Sequence, residues 1–111
     1  MRVLNFIVNG DKIMQDPNCD FSGLFPGKEE DILAEFEFSP DWDDTVKVAA
    51  FWSTLGKEYP PQMLKDGRSC MIPAEALARR TFKVQVIGKG PNSKKLTTNK
   101  VVVNQNGGAK A

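Results

Sequence analysis

The chain contains no histidine. Histidine is the usual proton carrier near neutral pH, so Ser-His-Asp and Cys-His catalysis are excluded within this chain. The common zinc sites go too, because Cys19 and Cys70 alone supply too few soft ligands. Their spacing matches no metal or redox motif. Long apolar runs are also missing: none approaches the roughly 20 residues that a membrane-spanning helix needs. Near the start, Asn5 and Asn9 interrupt what would otherwise be the apolar region of a signal peptide. The expected product is soluble, made and kept in a cytoplasm, not an enzyme, and free of cofactor, metal and membrane partner. Two free thiols are expected in that compartment; a disulfide would require the loop of Cys19 to reach the strand of Cys70.

What is present fits one globular unit. The 111 residues suit a single core, and 41% hydrophobic with 26% charged residues is an ordinary folded balance. The net charge of +1 conceals a split. Residues 1–45 hold eleven acidic and three basic side chains, whereas residues 46–111 hold twelve basic and three acidic ones. In a sandwich the two halves interleave, so the split need not become a surface dipole. If it does, like copies could meet acidic face to basic face.

Apolar side chains recur at every second position. Leu4, Phe6 and Val8 share one face of a first strand, residues 3–8. Asn9-Gly10-Asp11 is a tight-turn signal, with Lys12-Ile13-Met14 pairing back. Residues 15–28 are rich in Asp, Pro, Asn, Gly and Ser and read as a long loop tucked down by Phe21, Leu24 and Phe25. Residues 31–39 give the clearest alternation: Ile32, Ala34, Phe36 and Phe38 fall on one face of a strand, where a helix would scatter them. Pro40 ends it. In residues 46–53, Val48, Ala50 and Trp52 face one way, Ala49 and Phe51 the other. A short strand ends at Pro73, which opens one or two helical turns. Further strands are expected over residues 81–88, with Phe82, Val84 and Val86 on one face, and over residues 96–104. The expected fold is all-β: an antiparallel, immunoglobulin-like β-sandwich of about seven short strands spanning residues 1–104, with residues 105–111 as a mobile tail.

The remaining motifs are weak as chemistry. Asp41, Asp43 and Asp44 surround Trp42, but the segment lacks the glycine and distal glutamate of a calcium loop and reads as a solvated turn. Residues 88–95 hold Gly88, Gly90, Lys94 and Lys95 without phosphate-loop spacing, so a basic hairpin loop is expected. Lys83, Lys89, Lys94, Lys95 and Lys100 could attract nucleic acid, yet the aromatics sit mostly at inward positions and no nucleic-acid partner is expected.

The order of residues nevertheless resembles a known type of domain. A strand with Phe36 and Phe38 leads into Asp41-Trp42-Asp43-Asp44, and an Ala50-Phe51 strand follows. Then come Cys70-Met71-Ile72-Pro73-Ala74-Glu75, Phe82-Lys83-Val84-Gln85-Val86-Ile87-Gly88 and Thr97-Thr98-Asn99-Lys100-Val101. Over residues 32–103 this is similar to the small β-sandwich domains of tailed-phage virion proteins, found in tail-fibre, baseplate and head-fibre attachment. The resemblance implies a structural module that attaches an appendage to a capsid, baseplate or tail, and it carries no catalytic residue. With no fibre region after the last strand, three readings stay open: a free-standing decoration or adaptor protein, a fibre's anchoring domain, or an unrelated sandwich.

The expected function is therefore docking on other virion proteins, in many copies, by edge-strand pairing and loop contacts. The candidate contacts are Phe21, Leu24 and Phe25 on the long loop, the acidic Glu29, Glu30 and Asp31, and the basic Lys89, Lys94 and Lys95. Trp42 and Tyr59 join them as loop aromatics. A carbohydrate- or ligand-binding sandwich is the alternative; it would be favoured by exposed Trp42, Trp52 or Tyr59 beside Asp or Asn.

Overall fold

A computed structural model describes residues 1–27 and 31–105. These form two facing sheets, a β-sandwich. The first sheet joins β2 (Lys12–Gln15), β1 (Arg2–Asn9), β3 (Ile32–Phe38) and β6 (Ser69–Met71), in that spatial order. The second joins β5 (Gln62–Met63), β4 (Val46–Trp52) and β7 (Thr81–Lys89), with β8 (Lys95–Thr97) and β9 (Val101–Asn104) both paired to β7. A single helical turn, α1 (Ala74–Leu77), follows Pro73 as the sequence predicts.

The strands bury the residues that their alternation selects. Leu4, Phe6, Val8, Ile32, Ala34 and Phe36 line the inner face of the first sheet; Ala49, Phe51, Phe82, Val84, Val86 and Val103 line that of the second. Burial of such side chains contributes about 1.5–3 kcal/mol each relative to exposure. Phe6 stacks on Phe36 at 5.3 Å between ring centres, and Phe51 lies 6.3 Å from Phe82.

Three sequence expectations need correction. First, the pairing is not wholly antiparallel. β1 and β3 run parallel over their full length, from Arg2 opposite Ile32 to Val8 opposite Phe38. A parallel pair needs a long return connection, and β2 with the loop that follows supplies it. Second, the described residues hold nine strands rather than about seven. Residues 96–104 are not one strand: Thr98 breaks the ladder, its hydroxyl accepting from the Val86 N–H at 3.0 Å, and Asn99 turns to accept from the Ile13 N–H through Oδ1 at 2.8 Å. Third, Gln105 does not begin a mobile tail. It is buried, its Nε2 donating to the carbonyls of Leu77 and Arg79, both at 2.8 Å, and its backbone N–H bonding Arg80 O. The carbonyls at the end of α1 lack helical partners, and this side chain satisfies them. The rest of the expected tail, residues 106–111, lies outside the described residues.

At one end of the sandwich the 3-10 turn Pro40–Trp42 drops the Trp42 ring into the core, where its Nε1 donates to Gly10 O at 2.8 Å. Gly88 makes room for that ring. A Cβ on Gly88 would lie 2.7 Å from Trp42 Cζ3 and 2.9 Å from Cε3, so the contact admits no side chain.

Candidate interaction surface

Because side chains alternate, each sheet also has an outer face, and the strand registers fix what lies there. On the first sheet, Val3, Leu33 and Met71 form one in-register row, and Met14, Ile7 and Glu37 another. Between them runs Asn5, Glu35 and Ser69. The charges of the central strand β3 on this face are both carboxylates, Glu35 and Glu37, while Lys12 stands on the edge strand. On the second sheet, Met63, Val48, Ile87 and Thr97 form an apolar row across four strands. Trp52, Lys83 and Val102 form a second row, and Val46, Lys89 and Lys95 a third. Lys100 reaches over Trp52, its Nζ 3.7 Å from the ring centre, and Trp52 Nε1 donates to Gln85 Oε1 at 3.2 Å. Met63 is 69% exposed and Val46 59%, so this apolar surface faces water. Lys83, Lys89, Lys95 and Lys100 stand around it, with Glu58 opposite Trp52 in register.

Part of the charge split in the sequence thus becomes a difference between faces. The acidic β3 lies in the first sheet and the basic β7 and β8 in the second, and the two outer faces point away from each other.

Two open cavities repeat the contrast. The first, about 460 Å³, crosses the free end of β3 and gathers Asp16, Glu35, Glu37 and Asp43 with Lys47 and Arg68. Arg68 Nη2 lies 3.7 Å from Glu35 Oε2, and Lys47 Nζ sits 5.2 Å over the Phe38 ring, so the carboxylates of this lining outnumber its cations. The second, about 410 Å³, opens where β4 leaves the second sheet and β7 enters it. Among the described residues its charged lining is Lys57, Arg79 and Arg80, with no carboxylate.

The contact residues chosen from sequence fare unevenly. Lys89, Lys94, Lys95 and Asp31 are exposed, and Phe25 is 45% exposed. Lys89 and Lys95 face each other across the β7–β8 hairpin. Trp42, Tyr59 and Leu24 are not surface contacts: they are 0%, 5% and 1% exposed and belong to the core. Large aromatic and aliphatic groups on loops bury where the sheet ends leave the interior open, and these three close it. Phe21 is half-buried, edge-on to Phe6 at 5.5 Å. Glu29 and Glu30 lie outside the described residues. Sequence reasoning grouped Lys83 and Lys100 with Lys89, Lys94 and Lys95 as basic residues but missed Val48, Met63 and Ile87 beside them, and it missed Lys57, Arg79 and Arg80 as a second surface. The outward positions of β7 were legible by their period of two; their meeting with β4, β5 and the β8–β9 link depended on pairing.

Both cysteines are free thiols. Burial pushes the Cys70 thiol up from 9.0 to about 12. Cys19, half-buried, accepts from the Asn5 N–H at 3.4 Å. On the long loop, the hydroxyl and backbone N–H of Ser22 both donate to Asp20 Oδ1, at 2.6 and 2.8 Å, which holds that carboxyl below its ordinary value. Among the described residues, no group of three or more acidic or cysteine side chains is placed to hold a metal ion, and no helix is long and apolar enough to cross a membrane. Comparison with family models, with curated proteins and with solved structures gives no match.

Proposed function

We propose that the protein is a structural docking module of a tailed-phage virion, a decoration or adaptor that assembles by contact. The observation that carries the contact mechanism is the pair of outer faces. Each bears an in-register apolar row, Val3–Leu33–Met71 on the first sheet and Met63–Val48–Ile87 on the second. Glutamates border the first and lysines border the second. Like copies would stack first sheet on second, a heterologous contact that repeats from copy to copy. Apolar burial would supply the affinity, and complementary charge would set orientation and speed of encounter. Repetition would let individually weak contacts add up in an assembly.

The placement in a virion rests on the residue pattern from the Phe36 strand through Trp42 and the Cys70–Glu75 segment to Val101. Mass spectrometry of purified particles, from the phage or induced lysogen that carries the gene, tests it. The chain should be present in many copies per particle; particles that contain none of it would overturn the reading. Against carbohydrate binding, Trp42 and Tyr59 are withdrawn into the core and Lys100 covers the face of Trp52.

A further inference from the structure

The second cavity has a chemistry that the stacking of faces does not use. Lys57 comes from the turn after β4, and Arg79 and Arg80 from the link between α1 and β7. None of the three has a carboxylate within 4.0 Å among the described residues, where Arg68 and Glu35 make the one ion pair. Glu58, the nearest acid in sequence to Lys57, pairs through its backbone with Trp52 and does not line the cavity. Thr54 and Thr81 add hydroxyl groups, and Leu55, 95% exposed, stands on the lining.

Both walls are held firmly. In the turn, the Lys57 N–H donates to Ser53 Oγ at 3.0 Å and the Ser53 N–H to Lys57 O at 2.8 Å. Opposite, the carbonyls of Arg79 and Arg80 are tied to buried Gln105. Three cations are therefore brought to one groove on a fixed backbone frame, with no carboxylate within 4.0 Å of them among the described residues. Like charges held near one another repel, and a bound anion relieves that repulsion.

We infer that this groove is a binding site for an acidic, extended peptide segment of a partner protein. Guanidinium groups accept carboxylates in paired hydrogen bonds, and the hydroxyls can donate alongside. A cavity of about 410 Å³ bordered by three separate cations suits several carboxylates rather than one small anion. A nucleic acid would want bare aromatic faces for its bases. Tyr59 is buried, and the neighbouring Trp52 is already capped by Lys100, so no stacking platform is offered. The site stands where β4 leaves and β7 enters the second sheet, and it does not depend on where the protein works.

Fluorescence anisotropy of a labelled octa-glutamate peptide, titrated with the whole protein, tests the assignment. Three probes compete against it: unlabelled peptide, an eight-nucleotide oligothymidylate and inorganic phosphate. Saturable binding that weakens steeply with salt is expected. The double variant Arg79→Ser/Arg80→Ser should bind at least roughly tenfold more weakly, and Lys57→Ser should weaken binding to a lesser degree. Lys94→Ser/Lys95→Ser, at the other end of the molecule, should leave affinity within about twofold. Circular dichroism of each variant checks that the sheets persist. Absence of saturable binding would overturn the inference. So would equal losses in the two double variants, which would mean diffuse charge attraction, or competition by oligothymidylate or phosphate as tight as by the peptide.

Discussion

The two sheets share one core but present unlike surfaces. The first sheet's outer face mixes apolar residues with Glu35, Glu37 and edge Lys12, and the cavity beside it sets four carboxylates against Lys47 and Arg68. The second sheet's outer face is rich in lysines around Val48, Met63 and Ile87, with Glu58 opposite Trp52, and the cavity at its end is lined by cations that have no carboxylate within 4.0 Å among the described residues. A face that carries glutamates and one rich in lysines complement each other between copies. Topology brings this about, because β3 and β7, which carry the opposite charges, fall in different sheets.

The sharpest way to break the comparison is to damage what the faces share. Trp42→Ala should cost about 3–5 kcal/mol, the range for truncating a fully buried aromatic, read as a lower urea midpoint. Trp52→Ala, on the outer face, should cost far less. If the two tryptophans cost the same, Trp42 is not the core anchor described. Gly88→Val should follow at about 1–3 kcal/mol, by forcing the Trp42 ring aside.

Next come the buried and half-buried thiols. Cys19 should react with a thiol reagent in the native protein, while Cys70 waits for unfolding. Because burial raises the folded Cys70 pKa from 9.0 to about 12, the folded state keeps a proton that the unfolded chain releases. Stability from this group is complete below pH 9 and is lost as pH climbs toward 12. Urea midpoints from neutral pH up to about pH 10 should therefore fall more steeply in wild type than in Cys70→Val. Equal slopes would mean that the thiol titrates normally. The smallest expected effect is Glu35→Gln. It should change stability by less than about 1 kcal/mol, because the Arg68 partner is largely exposed and surface ion pairs contribute little.

Much of this architecture was legible in the sequence, and the reason is specific. Ile32, Ala34, Phe36 and Phe38 alternate without interruption, as do Phe82, Val84 and Val86, so strand identity and inward faces followed from spacing alone. The turn after Pro73 was legible from proline's fixed φ. The parallel pairing of β1 with β3 was not, since alternation says nothing of direction. Nor was Gln105, whose role is set by two helix-end carbonyls 26 and 28 residues away. The loop aromatics misled because Trp42 and Tyr59 follow turn residues, yet Gly88 opens a space beneath Trp42 that only the fold reveals. The cationic groove joins residues from two separate connections, and the period of two gives no hint of their meeting.

The proposed stacking of unlike faces has one direct trial, by sedimentation velocity at low salt. Wild type should associate as concentration rises. Glu35→Lys/Glu37→Lys and Lys83→Glu/Lys89→Glu/Lys95→Glu should each remain monomeric, one having two basic faces and the other two acidic ones. An equimolar mixture of the two should associate again, because every basic face then finds an acidic one. A mixture that stays monomeric, or charge-reversed variants that associate as wild type does, would contradict it.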